Sequence, residues 1–396
     1  MPKPPVDTVT TAVVIGAGIV GSACAEALTR RGIEVVVVDR NSVGSGTTSR
    51  GEGNILVSDK GPGAELALAR LSRRAWLEVG DLLGRARIEL EEKGGLVVAA
   101  SPSGLAALQG FADAQRAAGV TALDVTDPRT LEPHLATGLA GAVHYPEDMQ
   151  VQPVLAAAEL LAAALDRGAG FRGDTDVAAA VTDHDGSVSG IRTASGDVVE
   201  ADVVVNATGT WGGTVSARLG APVPVLPRRG FVLVTEPLPP LVRHKVYSAD
   251  YVANVESSEA GLETSCVVEG TRGGTILIGA SRERVGYDAA LSAPVVETLA
   301  RQAVALFPFL ARVHLLRVYR GFRPYCPDHL PVVGPDPRVP GVIHACGHEG
   351  AGIGLAAGTA RLVADYVTGA LAPETAGEWA ALLPDRFVTA GGEEQP

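Results

Sequence analysis

The sequence predicts an α/β protein with a parallel sheet assembled from separated pieces and a second, antiparallel sheet, and three observations carry that prediction. The N-terminal run Ala12–Gly16 reads as a buried strand, Gly21–Arg31 as a helix and Glu34–Asp39 as a second apolar strand, the pattern of a parallel sheet covered on both faces. Near the other end, Gly341–Ala345 followed by Gly347–Gly369 returns to the same order of strand, glycine loop and helix. Between them, alternating runs at Gly230–Glu236, Val246–Val255, Thr264–Glu269 and Thr275–Ala280 point to an antiparallel sheet with one exposed face.

The remaining elements follow in order. Asn41–Gly63 is a polar, glycine-rich loop, too long to be a plain connection and therefore a functional candidate. A helical stretch follows over about Ala64 to Lys93, then a strand at Leu96–Ala100 and a helix at Pro102–Ala118. Pro153–Gly168 is an alanine- and leucine-rich helix. Thr175–Thr182, Val188–Thr193 and Val198–Ala207 read as strands, the last two joined by a Ser195-Gly196-Asp197 turn.

Composition narrows the class. A chain of 396 residues is long enough for two domains. Its 45 acidic against 33 basic residues give a net charge of −12, which disfavours nucleic acid or an anionic membrane as the main partner. The 48 glycines suit tight turns and close approach of backbone to a ligand. Four scattered cysteines, with no C-x-x-C pair, form neither a disulfide scaffold nor a metal or iron–sulfur site within this chain. The N-terminus does not read as a signal peptide and no apolar run is long enough for a span, so the expectation is a cytoplasmic protein with no integral membrane segment.

The first chemical motif is Gly16-Ala17-Gly18-Ile19-Val20-Gly21, a G-x-G-x-x-G between predicted strand and predicted helix, with Asp39 closing the next strand. In that context Gly16 makes the tight turn, Gly18 admits a pyrophosphate to the backbone and Gly21 lets helix and strand pack closely. The helix N-terminus faces the phosphates, and the Asp39 carboxylate accepts ribose hydroxyls. The motif alone leaves NAD and FAD open. A domain that resumes after residue 150 and again after residue 340 argues for FAD, whose extended length needs the returning pieces. The strand and turn ending in Asn206-Ala207-Thr208-Gly209-Thr210-Trp211 is one of them.

With these motifs, Gly321-Phe322-Arg323-Pro324-Tyr325-Cys326-Pro327-Asp328 and Gly347-His348-Glu349-Gly350, the chain resembles the D-amino-acid-oxidase-like FAD oxidoreductases over nearly its whole length. Within that family, Gly46-Thr47-Thr48-Ser49-Arg50-Gly51-Glu52-Gly53-Asn54-Ile55 looks most like the β subunits of hydroxyproline, proline and opine dehydrogenases. The resemblance implies a discontinuous Rossmann-like FAD-binding domain (residues 1–88, 147–221 and 320–390) and an antiparallel-sheet substrate domain (89–146 and 222–319). It places Thr48 and Ser49, beside Thr47, at the phosphates, Gly53, Asn54 and Ile55 along the isoalloxazine ring, and the Val177 backbone at the adenine. Ile19, Val20, Arg40, Ala207, Gly209 and Trp211 complete the expected cofactor contacts. In the C-terminal loop, Gly347, His348, Gly350, Ala351, Gly352 and Ile353 offer N–H groups to the negative charge that develops at flavin N1 and C2=O.

For the substrate, the G-x-R-P match implies that Arg323 binds a carboxylate, for which a planar guanidinium fork is suited. Tyr251 is expected above the flavin, with Tyr247 as the competing match. His348 and Glu349 are left open, facing the flavin, a neighbouring subunit or solvent. A covalent flavin link through a cysteine six residues before Pro327 is ruled out by Gly321 at that position, so the FAD is expected to be non-covalent. The expected reaction is oxidation of the C–N bond of a small amino or imino acid by hydride transfer to flavin N5, with electrons leaving to oxygen or to a partner subunit carrying a second redox cofactor. The alternatives are an FAD-dependent 2-hydroxy acid dehydrogenase using His348 as base, and a non-catalytic FAD-bearing subunit of a heteromeric complex.

Overall fold

Thr11–Ile15 has a side chain for each of two layers. Val13 and Ile15 pack into one apolar cluster and Ala12 and Val14 into another, as alternation along a strand requires. In the computed structural model, which describes residues 9–249, 259–372 and 376–388, this strand sits inside a six-stranded sheet. The order is Val332–Pro335, Val342–Cys346, Val203–Asn206, Thr11–Ile15, Glu34–Val38 and Gly170–Arg172, parallel except for the first pair. On the Val14 side lie the helices Ile19–Arg30, Ala64–Leu83, Pro153–Asp166 and Gly352–Thr368. On the Val13 side lies a three-stranded antiparallel sheet, Val177–Thr182, Val188–Thr193 and Val198–Glu200.

A second large sheet has eight strands, in the order Leu315–Tyr325, Leu226–Thr235, Ile276–Arg282, Glu263–Gly270, Lys245–Ser248, Gly95–Ala99, Gly141–Tyr145 and Leu123–Val125. Its residues alternate too. Leu96, Val98, Val246, Val268 and Ile278 pack with the helix Ala293–Leu306, whereas Val97, Val143, Tyr247 and Val267 join the core of the parallel sheet. The two sheets therefore share one apolar core, which holds their facing surfaces at a fixed separation.

Several expectations need correction. The predicted strand Val198–Ala207 is two strands in two sheets, because the Asp202 carboxylate accepts the N–H groups of Thr10 and Thr11 at 2.9 and 3.0 Å and redirects the chain. The helix from Ala64 stops at Leu83, where Gly84 takes φ +89°. The second sheet is mixed, since Gly95–Ala99 runs parallel to Lys245–Ser248. Of the run Val246–Val255, the structure shows a strand over Lys245–Ser248, and Tyr251 lies outside the described residues.

The loop after Ile55 is tied to the second sheet by Asp148, which is fully buried. Its carboxylate accepts the Val57 and Ser58 N–H groups at 2.9 and 3.3 Å and the Ser58 hydroxyl, which in turn accepts the Tyr247 hydroxyl. Burial pushes the Asp148 carboxyl up to about 7, against the opposing pull of those hydrogen bonds. The folded state then holds this proton more tightly than the unfolded chain. The stability it contributes is present below about pH 4 and lost as pH rises toward 7. In Asp148→Asn, urea midpoints are expected to fall less between pH 4.5 and pH 7.5 than in the wild-type protein. Parallel midpoint-against-pH curves would contradict this.

Candidate active site

The Gly16 turn brings two backbones closer than any side chain allows. Gly16 has φ +108°, and a Cβ there would lie 2.5 Å from the Ala207 carbonyl oxygen, while a Cβ on Gly21 would lie 1.8 Å from that of Gly16. The helix Ile19–Arg30 begins at Gly18 with no side-chain cap and no acidic residue in its first turn. Its positive end is therefore open to an anion in the cleft. Thr48 Oγ1 accepts the Ile19 N–H at 3.0 Å, bringing the long polar loop against that end. Asp39 accepts the Ala17 and Asn41 N–H groups at 2.7 and 2.8 Å, which fixes its carboxylate at the end of the second strand.

From this turn a cleft with about 1580 Å³ of empty space, open solvent at its mouth included, runs between the two large sheets. Gly16, Gly18, Ile19, Val20, Asp39, Arg40, Thr47, Thr48, Val177, Ala207, Gly209 and Trp211 line it toward the parallel sheet, and Asn54, Arg323, His348, Gly350, Gly352 and Ile353 line it further along. The Arg40 guanidinium lies over the Trp211 ring at 3.9 Å, and Trp211 stacks in turn on Tyr287. The Val177 N–H and carbonyl are engaged by Asp176 at 3.0 Å and Arg218 at 2.7 Å. Thr47 Oγ1 donates to the Phe322 carbonyl at 2.9 Å, locking the loop to the strand that carries Arg323.

Other candidates stand behind the surface. Gly21 works in packing, and Ile55 is buried in the core. The Ser49 hydroxyl donates within its own loop, to Ser45 and Gly46. A Cβ on Gly53 would lie 1.9 Å from the Val151 carbonyl oxygen, so that strand too depends on glycine. Gly347 and Ala351 shape the turn into the helix Gly352–Thr368 without lining the cleft. That helix also starts with no side-chain cap.

Two arginines face each other in register, Arg228 and Arg323, and their surroundings differ. Arg228 is fully buried and paired with Glu349 at 2.6 Å and Glu263 at 2.9 Å. Arg323 lines the cleft, with Nη1 donating to the Ser281 carbonyl at 2.7 Å. Glycines make its slot. A Cβ on Gly230 would lie 2.1 Å from Nη1, and one on Gly350 would lie 3.4 Å from Nε. Glu349 is a largely buried partner of Arg228 and of His329, at 3.2 Å. Burial alone would raise its carboxyl, but the His329 hydrogen bond and the Arg228 charge hold it below the usual range. Burial pushes the His348 imidazole down to about 4, and its Nε2 meets Thr359 Oγ1 at 2.9 Å.

Sequence reading missed Arg50 and Glu52, which line the cleft from the loop before Asn54, and Thr175, Asp176 and Arg218 at the far end. The signal for Glu52 was a carboxylate inside a loop otherwise made of small, polar and basic residues.

An extended dinucleotide fits this set: a helix end reached through glycines with only its first N–H taken, by Thr48, a fixed carboxylate at the end of the adjacent strand, and a second helix without a side-chain cap along the same cleft. Residues 11–366 match the family described as FAD dependent oxidoreductase, and the chain belongs to that family. It is an FAD-binding oxidoreductase. The hydrogen cyanide synthase subunit HcnC of Pseudomonas aeruginosa is 28% identical over 384 residues, covering 86% of this chain and 88% of that protein. The glycine oxidase of Geobacillus kaustophilus is 29% identical over 362 residues, covering 89% of this chain and 92% of that protein. Its crystal structure superposes with a TM-score of 0.83, covering 95% of this chain and 98% of that one. A crystal structure titled L-proline dehydrogenase from P. horikoshii shares the fold, with a TM-score of 0.85, 22% identity and coverage of 96% of this chain and 98% of that one.

Asp39→Ala leaves the Ala17 and Asn41 N–H groups without their acceptor and removes the carboxylate expected to meet the ribose. Its dissociation constant for FAD is expected to rise on the order of tenfold to a hundredfold, read by fluorescence quenching on reconstitution of apoprotein. Unchanged affinity would remove Asp39 from the cofactor site.

Proposed function

We propose that the protein oxidises the C–N bond of a small amino or imino acid, with Arg323 holding the substrate carboxylate. The observation that carries this reading is the Arg323 guanidinium in a glycine-lined slot of the cleft, opposite the ion-paired Arg228. The activities of relatives support the substrate class: glycine oxidase in Geobacillus kaustophilus, and D-amino acid dehydrogenase in Methylobacterium nodulans, 32% identical over 250 residues. FAD, when bound, supplies the acceptor for the hydride from the α-carbon. The protein's own part is alignment and dryness. Arg323 fixes the carboxylate and so the direction of the α-carbon hydrogen, while the shared core excludes water from behind.

The hydroxy acid alternative needs a base for the hydroxyl. His348 is neutral above about pH 5 and its Nε2 is engaged by Thr359, which disfavours it in that role. For the electron acceptor we favour a partner subunit carrying a second redox cofactor. A second cavity on the other side of the loop supports it, sharing Thr48, Arg50 and Gly51 with the cleft. The exposed Leu315 and Leu316 on the edge strand beside that cavity support docking there. Among the described residues no helix is long and apolar enough to cross a membrane.

Arg323→Ala is expected to raise KM for an amino acid on the order of a hundredfold or more while leaving FAD content unchanged, with partial recovery in Arg323→Lys. Loss of FAD with unchanged KM would overturn the carboxylate role. The denatured protein is expected to have the mass of the polypeptide alone, since Gly321 replaces the cysteine that a covalent flavin would need.

A further inference from the structure

Oxidation of an amino acid that binds as the ammonium releases one proton for every hydride that leaves. Loss of the hydride needs the neutral amine, so the proton must go first, and the shared core closes the way behind the cleft. Two residues lead out of it. Glu349 lines the cleft, with its side chain 11% exposed, and its Oε2 meets His329 Nδ1 at 3.2 Å. His329 does not line the cleft, yet its side chain is 21% exposed. The imidazole therefore touches solvent outside that space.

Both residues are held where they stand. His329 takes φ +60° and Glu349 φ +46°, a left-handed backbone that costs energy unless its surroundings fix it. For His329, Arg386 grips the chain on both sides. Its Nε donates to Asp328 at 2.6 Å and its Nη2 to the Leu330 carbonyl at 2.9 Å, while the Tyr325 ring packs edge-on against the imidazole. Glu349 is oriented by Arg228, itself shared with Glu263, which donates to its Oε1 at 2.6 Å. It also stands beside the substrate anchor. Arg228 and Arg323 are cross-strand neighbours, and Gly350, next after Glu349, abuts the Arg323 side chain. The other charges acting on the pair are Arg282 and Glu65, with Lys60 and Asp59 next to Glu65.

We propose that Glu349 and His329 form the proton outlet of the cleft, Glu349 taking the proton that the substrate nitrogen loses and His329 passing it to solvent. This rests on the amino acid reading above and deepens it. An N–H bond of the ammonium breaks, directly or through one water, and an O–H bond forms on Glu349. That proton moves from Oε2 to Nδ1 of the neutral imidazole, and the imidazolium gives its Nε2 proton to water. Exchange with water returns the imidazole to its starting tautomer, so the pair is unchanged after each turnover. The electron pair stays on nitrogen and supports loss of the hydride from the α-carbon. Burial raises the Glu349 carboxyl, but the His329 hydrogen bond and the Arg228 charge outweigh it, so Glu349 hands the proton on rather than keeping it.

The test uses the FAD-loaded full chain and an amino or imino acid that bleaches its flavin anaerobically. Bleaching and proton release, the latter read with a pH indicator in weak buffer, are followed together by stopped flow. In the wild-type protein the proton is expected no later than the bleaching. In His329→Ala, bleaching at pH 7 is expected to slow on the order of tenfold or more and to recover on addition of imidazole. The defect is expected to shrink as pH rises and more substrate arrives as the neutral amine. A merely structural role would slow bleaching at every pH, without rescue. A wild-type rate in His329→Ala at pH 7 overturns the proposal, as does a loss that imidazole does not reverse. Should that variant fail to hold FAD, Glu349→Gln is expected to show the same pH-dependent slowing, and a wild-type rate there overturns the outlet. Wild-type proton release that trails the bleaching overturns it without any variant. If no amino or imino acid bleaches the flavin, the proposed function itself falls. If one does and the variants match the wild-type protein, only the outlet falls.

Discussion

The cleft depends on one constraint, backbone meeting backbone at Gly16. The Ala207 carbonyl and the Gly21 helix turn both crowd positions where a Cβ would sit, at 2.5 and 1.8 Å. That contact sets the end of the first strand, the start of the uncapped helix and the position of the Asn206–Trp211 turn together. Asp39 then pins the same loop from the next strand through its bond to the Ala17 N–H. Segments almost 200 residues apart in the chain are thereby held as one cofactor-binding surface.

The second requirement is that the eight-stranded sheet stand opposite this surface without drifting. The shared core supplies it, because alternate residues of Gly95–Ala99, Gly141–Tyr145 and Lys245–Ser248 pack on the helices of the parallel sheet. The Thr47–Phe322 hydrogen bond and the Asp148 network close the joint from two sides. Charge is sorted across the joint. Arg228 is neutralised by Glu263 and Glu349 within the fold, and Arg323 and Glu52 line the cleft.

The sequence made some of this legible and hid the rest for physical reasons. The G-x-G-x-x-G turn, Asp39 and the alternation of apolar residues were readable because each obeys short-range geometry. Arg323 was readable through the motif around it. The break at Asp202 was not, since it depends on N–H groups of Thr10 and Thr11, distant in the chain. Glu52 was missed because its place in the cleft wall is set by Lys245 and Gly279, both remote from it in sequence. Ser49 entered through the family motif; that its hydroxyl donates to the Ser45 and Gly46 carbonyls of its own loop depends on the turn the loop takes and was not legible.

The central claim is that this cleft takes a carboxylate and a nitrogen from one small molecule and removes a hydride from the carbon between them. Anaerobic addition of single compounds, drawn from glycine, sarcosine, both prolines, hydroxyprolines, D-amino acids, opines and matched 2-hydroxy acids, tests it most directly through bleaching of the flavin absorbance. The account predicts rapid bleaching by at least one amino or imino acid and none by its hydroxy counterpart. Bleaching by hydroxy acids alone, or by none of these compounds, would contradict it.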